Sequence, residues 1–238
     1  MSDFDPAIAS HVDGSYADAL QSRLATLETM EPTNPRLPGV LGTVALTYER
    51  LGEHDTALQY ADRALSVPDP VEESKSAFRT RVAERPSTEL NVGIVYLRAA
   101  ARARLAQDDQ AAGIHQANAR ARLRLAGAGI RAQREPGRLH QHAINAASRV
   151  AALEVVEGRR LAAMGRSLGA LAVAPLSESR IVTHSSNLTP KQQAKSVAKA
   201  LGRGSAAMGI AALTTPPLPR RLQPKVHTIR DKVILKML

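Results

Sequence analysis

With 238 residues, 44% of them apolar but only two Phe, four Tyr and no Trp, the chain can build one domain but not a thick aromatic core. The absence of Cys excludes disulfides, thiolate metal sites and thiol catalysis. The net charge of +10 conceals a split. Residues 1–89 carry 8 Lys/Arg against 15 Asp/Glu, a net −7, whereas residues 90–238 carry 24 against 7, a net +17. Such asymmetry points to an anionic partner for the basic part, or to an acidic half that docks on the basic half within the chain.

The N-terminal residues MSDFDPAIAS carry acids where a secretory signal needs a basic start and an apolar run. Low-polarity segments such as Leu168–Leu176 are far too short to span a bilayer. A cytoplasmic protein without a membrane span is therefore expected. Asp13 or Ser15 can cap a first helix to about Met30, with Ala17, Leu20, Leu24 and Leu27 at helical spacing. Pro32, Pro35 and Pro38 then make a stiff connector. A second helix is predicted over about Gly39 to Leu51, ended by Gly52 in a left-handed conformation. Asp55 is the expected cap of a third, which Pro68 and Pro70 stop.

Residues 68–88 read as a charged insertion with a short helix around Glu72–Val82. From Ser87 the pattern predicts helix to about Ala106, although Val92–Leu97 (VGIVYL) fits a strand equally well. Gln107–Asp109 reads as a turn before a helix over Ala111–Leu125, with Gly127 and Gly129 breaking the pattern. A further helical region covers about Arg138–Leu168 and a loop Pro175–Leu188. Thr189, Pro190 and Gln192 form a capping box for a helix that should end at Gly202. Residues 205–213 fit a second small-residue helix, residues 214–225 an extended proline-rich linker, and the last twelve residues either a helix or a strand.

One segment repeats. Gly14, Ala19, Leu20, Gln21, Leu27 and Pro32 recur 38 positions later as Gly52, Ala57, Leu58, Gln59, Leu65 and Pro70. A period of this size marks stacked helices. Over residues 41–70, the set Leu41, Ala45, Tyr48, Gly52, Ala57, Ala61 and Ala64, with the prolines that follow, resembles the tetratricopeptide repeat. The upstream copy adds half a repeat, and Leu41 stands where that family carries Trp. The physical logic is independent of the family. Ala45 and Ala57 let two helices approach, Tyr48 plugs the space beside them, and Gly52 permits the tight turn. The resemblance implies protein or peptide binding on the first helix of the hairpin, whose face here holds Gly42, Leu46, Glu49 and Arg50. These depart from the basic clamp that holds carboxylate-terminated peptides in that family. Leu46, Glu49 and Arg50 are accordingly expected to make an apolar or mixed-charge contact.

In the basic half, Lys191, Lys195 and Lys199 fall at i, i+4 and i+8, with Arg203 just beyond. They form either a phosphate-tracking face or a solvated one. Aromatics are absent beyond Tyr96, which argues against base-stacking modules. Arg98/Arg102 and Arg120/Arg124 are like-charged i, i+4 pairs that repel unless something anionic lies between them. Arg131, Arg134 and Arg138 are interrupted by Gly and Pro. His140 and His142, two apart on a helix, point to different sides and make a poor metal pair. No phosphate loop, triad, cofactor motif or metal motif emerges, so catalysis is not expected.

The sequence thus predicts an all-α protein. It divides into a repeat-like module (1–67), a charged linker (68–88), a basic Ala-rich helical region (89–175) and a loop, basic helix and Pro-rich tail (176–238). The expected function is a non-enzymatic interaction or scaffold protein whose basic half meets an anionic partner. The alternative is backbone-directed nucleic-acid binding through Lys191, Lys195, Lys199 and Arg203.

Overall fold

The fold was analysed in a computed structural model. It describes residues 14–69, 72–132, 139–157 and 223–237, and isolated positions between 159 and 209. Among these residues every regular element is a helix: α1 (Tyr16–Thr29), α2 (Leu37–Leu51), α3 (His54–Ser66), α4 (Lys75–Leu105), α5 (Asp109–Ala132), α6 (Leu139–Val156) and α7 (Gln223–Met237). No helix is long and apolar enough to cross a membrane among the described residues.

The first three helices start and stop close to where their residues dictate. Pro38 sits in the first turn of α2, where its missing N–H costs nothing. Gly52 closes α2 at φ +90°, and Gly14 ahead of α1 has φ +89°. The internal repeat therefore extends to backbone geometry. It also extends to burial, since Ala19 and Ala57 are both fully buried and Leu27 and Leu65 both pack partly buried against the core. Asp55 lies in the first turn of α3 rather than at its cap, a position taken by Glu53, whose side chain makes no capping bond. Ala45, Ala57, Ala61 and Ala64 are buried where α2 and α3 meet, and Tyr48 stacks on Tyr60 with ring centroids 5.3 Å apart. Small residues bring the backbones together and one aromatic pair fills the remaining space.

The largest departure from expectation is α4. Ser74 caps it, accepting the Ala77 N–H at 3.2 Å, and the helix then runs 31 residues through Pro86. The boundary expected at residues 88 and 89 falls inside it, and Val92–Leu97 is helix, not strand. A proline in a helix interior costs about 3 kcal/mol through its lost donor and ring clash. Here Pro86 is buried, and its ring fills the space above Gly129 of α5, where an added Cβ would come within 2.7 Å of Pro86 Cγ. Gly129 thus serves as a seat for Pro86, and α5 continues through it to Ala132. Gln107 at φ +63° and Asp108, whose carboxylate accepts the Ala111 N–H at 2.9 Å, make the expected turn between α4 and α5.

About 46 Å long at 1.5 Å per residue, α4 is the spine of the molecule. It packs against α2 and α3, against α5, and against α7. Pairings such as Gly42 with Thr88 and Thr43 with Asn91 show α2 running parallel to α4. Gly93 with Leu123 and Pro86 with Gly129 show α5 running antiparallel. A polar seam joins α1, α2 and α4: Arg23 of α1 donates to Thr47 Oγ1 of α2 at 3.3 Å, and Asn91 of α4 donates to Thr43 Oγ1 of α2 at 3.3 Å. The C-terminal residues resolve as helix, not strand, and α7 begins at Gln223 inside the expected linker. Ile234 is fully buried, and Asp231 receives Arg104 from α4 and its own neighbour Arg230.

Two glycines in helix interiors should respond oppositely to Ala. A Cβ on Gly93 would meet Leu123 side-chain carbons at 2.8 Å and the Leu123 backbone nitrogen at 3.2 Å, so Gly93→Ala should lower stability by about 1–3 kcal/mol. Gly113 has nothing within 4 Å, and Gly113→Ala should raise stability by about 0.5–1 kcal/mol. Urea denaturation of both variants measures the difference. A gain at Gly93 would contradict the close α4–α5 packing.

Candidate functional site

The face of α2 expected to meet a partner is largely internal. Leu46 is 9% exposed and Glu49 1%, and only Arg50 is half-buried at the rim. The reason is α4, which covers this face. Arg98 Nε donates to Glu49 Oε1 at 2.6 Å, and Arg102 donates to Oε1 at 2.5 Å and to Oε2 at 2.9 Å. His54 Nδ1 lies 3.1 Å from Oε2. The i, i+4 arginine pair thus finds its anion inside the molecule. The assignment of Leu46 and Glu49 as an open contact surface is corrected: Glu49 is a fixed internal counter-ion. Burial alone would raise the Glu49 carboxyl, but the hydrogen bonds from Arg102 and Arg98 outweigh it and hold it below the usual carboxylate range.

Other acids of the first 89 residues follow the same course. The Tyr96 hydroxyl donates to Asp62 of α3, and burial together with that bond drives its pKa well above the ordinary value. His115 of α5 packs beside Tyr96 at 6.1 Å between centroids, and burial, then Arg102, lowers its pKa, which keeps it neutral. Arg122 reaches Glu89 at 3.3 Å. The acidic half therefore docks on the basic half through Glu49, Asp62 and Glu89. This was one of the two outcomes the charge split allowed.

Among the described residues, a further group of arginines gathers at the end of α6. Beyond Val156 the chain turns sharply, with Glu157 N–H donating to Leu153 O at 3.0 Å and Arg159 N–H to Glu154 O at 2.8 Å. The turn leaves a cleft of about 410 Å³ between α5 and α6. Leu123, Gly127, Val150 and Leu153 line its apolar part, and Arg124, Arg159, Arg166 and Glu154 its polar part. Arg166 grips Glu154 through Nε at 3.0 Å and Nη2 at 2.8 Å, and this pairing raises its pKa. Glu157 holds Arg159 at 2.6 Å and also accepts from Arg120. Arg124 is exposed and makes no ion pair among the described residues. Four guanidinium groups therefore face two carboxylates, a local net charge of +2.

Of the expected anion-binding lysine set, Lys191 is helical and exposed. Lys195, Lys199 and Arg203 lie outside the described residues, as do Arg134 and Arg138 and the loop 175–188. Gly202 is itself helical rather than a terminator. Among the described residues no group of three or more His, Asp or Glu is placed to hold a metal ion. The two features missed by sequence reasoning are the cleft and an exposed apolar pair, Phe78 (49% exposed) and Val82 (47%), on the first turns of α4. The signal for the cleft was present in the Arg120/Arg124 spacing. The signal for the apolar pair was Phe78 and Val82 at i, i+4 within a charged stretch. Compared with protein-family models, curated proteins and solved structures, the chain shows no significant match.

Glu49→Gln should destabilise the fold by about 3–5 kcal/mol, because it leaves Arg98 and Arg102 buried without their counter-ion. The wild-type carboxyl is depressed in the folded state. Its contribution is therefore present above the ordinary glutamate value of 4.5 and is lost as pH falls through the lower folded value. Urea midpoints measured between pH 7 and pH 3 should fall more steeply for wild type than for the variant. Parallel curves would remove Glu49 from this role.

Proposed function

We propose that the protein is a non-enzymatic interaction or scaffold protein. In this reading α1–α3 form a tetratricopeptide-like module, the start of α4 docks a partner protein, and the basic half meets an anionic partner. The observation that carries it is the ridge made by Phe78 and Val82. Lys75–Arg85 is the part of α4 held by ions more than by apolar burial: Arg81 pairs with Glu73 at 2.5 Å and Asp69 at 2.7 Å, and its guanidinium lies 5.5 Å from the Phe78 ring centroid. These bonds pin the helix start against the segment after α3 and leave two large apolar side chains at i, i+4 facing solvent. A preformed helical ridge of this kind suits a groove on another protein, with Phe78 as anchor.

Backbone-directed nucleic-acid binding remains the second reading, favoured by exposed Lys191 and by the surplus charge beside Arg124. The two separate in one experiment, capture by the tagged full chain from lysate of the native host, with and without nuclease. A specific protein should be recovered regardless of nuclease. The double variant Phe78→Asp/Val82→Asp should lose it by about tenfold, with its own stability changed by no more than about 0.5 kcal/mol. Recovery that disappears with nuclease supports the second reading. Undiminished recovery by the double variant removes the ridge as the docking surface.

A further inference from the structure

The cleft between α5 and α6 has features that neither internal docking nor a protein-binding ridge explains. Its floor is apolar: half-buried Val150 and Gly127 face the cleft, and the fully buried Leu123 and Leu153 pack directly beneath them. Its polar edge is built from arginines held in different ways. Arg166 and Arg159 are fixed by Glu154 and Glu157, yet each is bound on only part of its guanidinium. A guanidinium carries five N–H donors in a rigid fork. Arg166 uses Nε and Nη2, and Arg159 uses Nη2, so Nη1 of Arg166 and Nε and Nη1 of Arg159 make no hydrogen bond among the described residues. Arg124 contributes an entire fork with no carboxylate partner among the described residues.

The combination is selective. A solvated arginine face needs no apolar floor, and an apolar crevice filled by the fold needs no surplus of guanidinium. At about 410 Å³ the cleft lies within the range of about 300–1,000 Å³ typical of small-molecule sites. We propose that it binds a small organic anion, a carboxylate or phosphate head on a compact apolar body. The head would sit between Arg124 and the free edges of Arg159 and Arg166, and the body against Val150 and Gly127, which Leu123 and Leu153 back from below. Carboxylate and phosphate both match the planar fork of Arg, and the net charge of +2 admits a dianion without reversing the sign of the site. Glu154 repels an anion at one edge, which directs the head toward Arg124. This inference is independent of the docking ridge and stands or falls on different side chains.

Isothermal titration calorimetry on the full chain tests it, with phenyl phosphate and benzoate as probes and with benzyl alcohol and inorganic phosphate as half-ligands. One of the two anionic probes should bind with 1:1 stoichiometry, and each half-ligand about tenfold more weakly or worse, since each keeps only the body or the head. Arg124 is exposed, so Arg124→Ala should keep the wild-type melting temperature while weakening the probe about tenfold. Arg124→Glu should abolish binding, and Arg63→Ala on α3, which removes the same charge elsewhere, should leave it unchanged. The site is refuted if neither anion binds at millimolar concentration, if benzyl alcohol binds as well as the anions, or if Arg63→Ala weakens binding as much as Arg124→Ala. A stronger response to phenyl phosphate assigns the head to a phosphate, and a stronger response to benzoate assigns it to a carboxylate.

Discussion

One buried carboxylate sets the arrangement of the molecule. Glu49 is 1% exposed and receives three N–H donors from two arginines one turn apart on α4. Replacing such a cluster with well-packed apolar residues could be neutral for stability, because desolvation offsets much of the Coulomb gain. Its effect is on geometry. Apolar helix faces tolerate sliding, but Glu49 can satisfy both guanidiniums at one axial and rotational setting of α2 on α4. That setting also places Gly42 over Thr88 and Val92, where an added Cβ would lie 3.5–3.6 Å from them, and joins Thr43 to Asn91. The helix pair is thus registered by ions at one end and by the Asn91–Thr43 hydrogen bond at the other. Since α4 also carries α3, α5 and α7, the rest of the stack inherits this register.

Local chemistry was legible in the sequence, and so was the internal period. Gly52 adopts the left-handed conformation its position demanded, Pro38 and Pro68 bound the hairpin, and Gln107–Asp108 turns the chain. The small residues Ala45, Ala57, Ala61 and Ala64 lie buried at the crossing. What sequence reading missed depends on residues far apart. Pro86 reads as a helix boundary because its penalty is local, whereas Gly129, which accommodates its ring, lies on another helix. Glu49 reads as a surface acid on an amphipathic helix because Arg98 and Arg102 belong to the region assigned as separate. The i, i+4 arginine pairs carried the missing information. Both required an anion: Glu49 meets the first, and Glu157 meets Arg120 of the second but not Arg124.

That difference explains where the surplus charge of the basic half remains. The first 89 residues are acidic, yet Glu49, Asp62 and Glu89 serve Arg98, Arg102, Tyr96 and Arg122 on the helices they dock against. Asp69 and Glu73 serve Arg81 at the start of α4. Asp231 arrives from the opposite end of the chain to serve Arg104 and Arg230. These acids are thus taken up where helices meet α4. Among the described residues, the outer side of α5 and the end of α6 have Glu154 and Glu157, fewer than the arginines around them. Screening weakens such a charge on an open surface, but a cleft with low-dielectric walls preserves it.

The apolar ridge and the charged cleft also meet at one contact. Val82 precedes Pro86 by one helical turn, Pro86 packs on Gly129, and Gly127, two residues before, lines the cleft. An interior packed this closely transmits displacement rather than absorbing it. Gly129 offers no side chain between the two helices, so the Pro86 ring packs directly on the α5 backbone. Pro86 in turn is the point where the ion-pinned start of α4 joins the buried spine. The least regular residue in the longest helix therefore lies between the exposed apolar pair and the cleft.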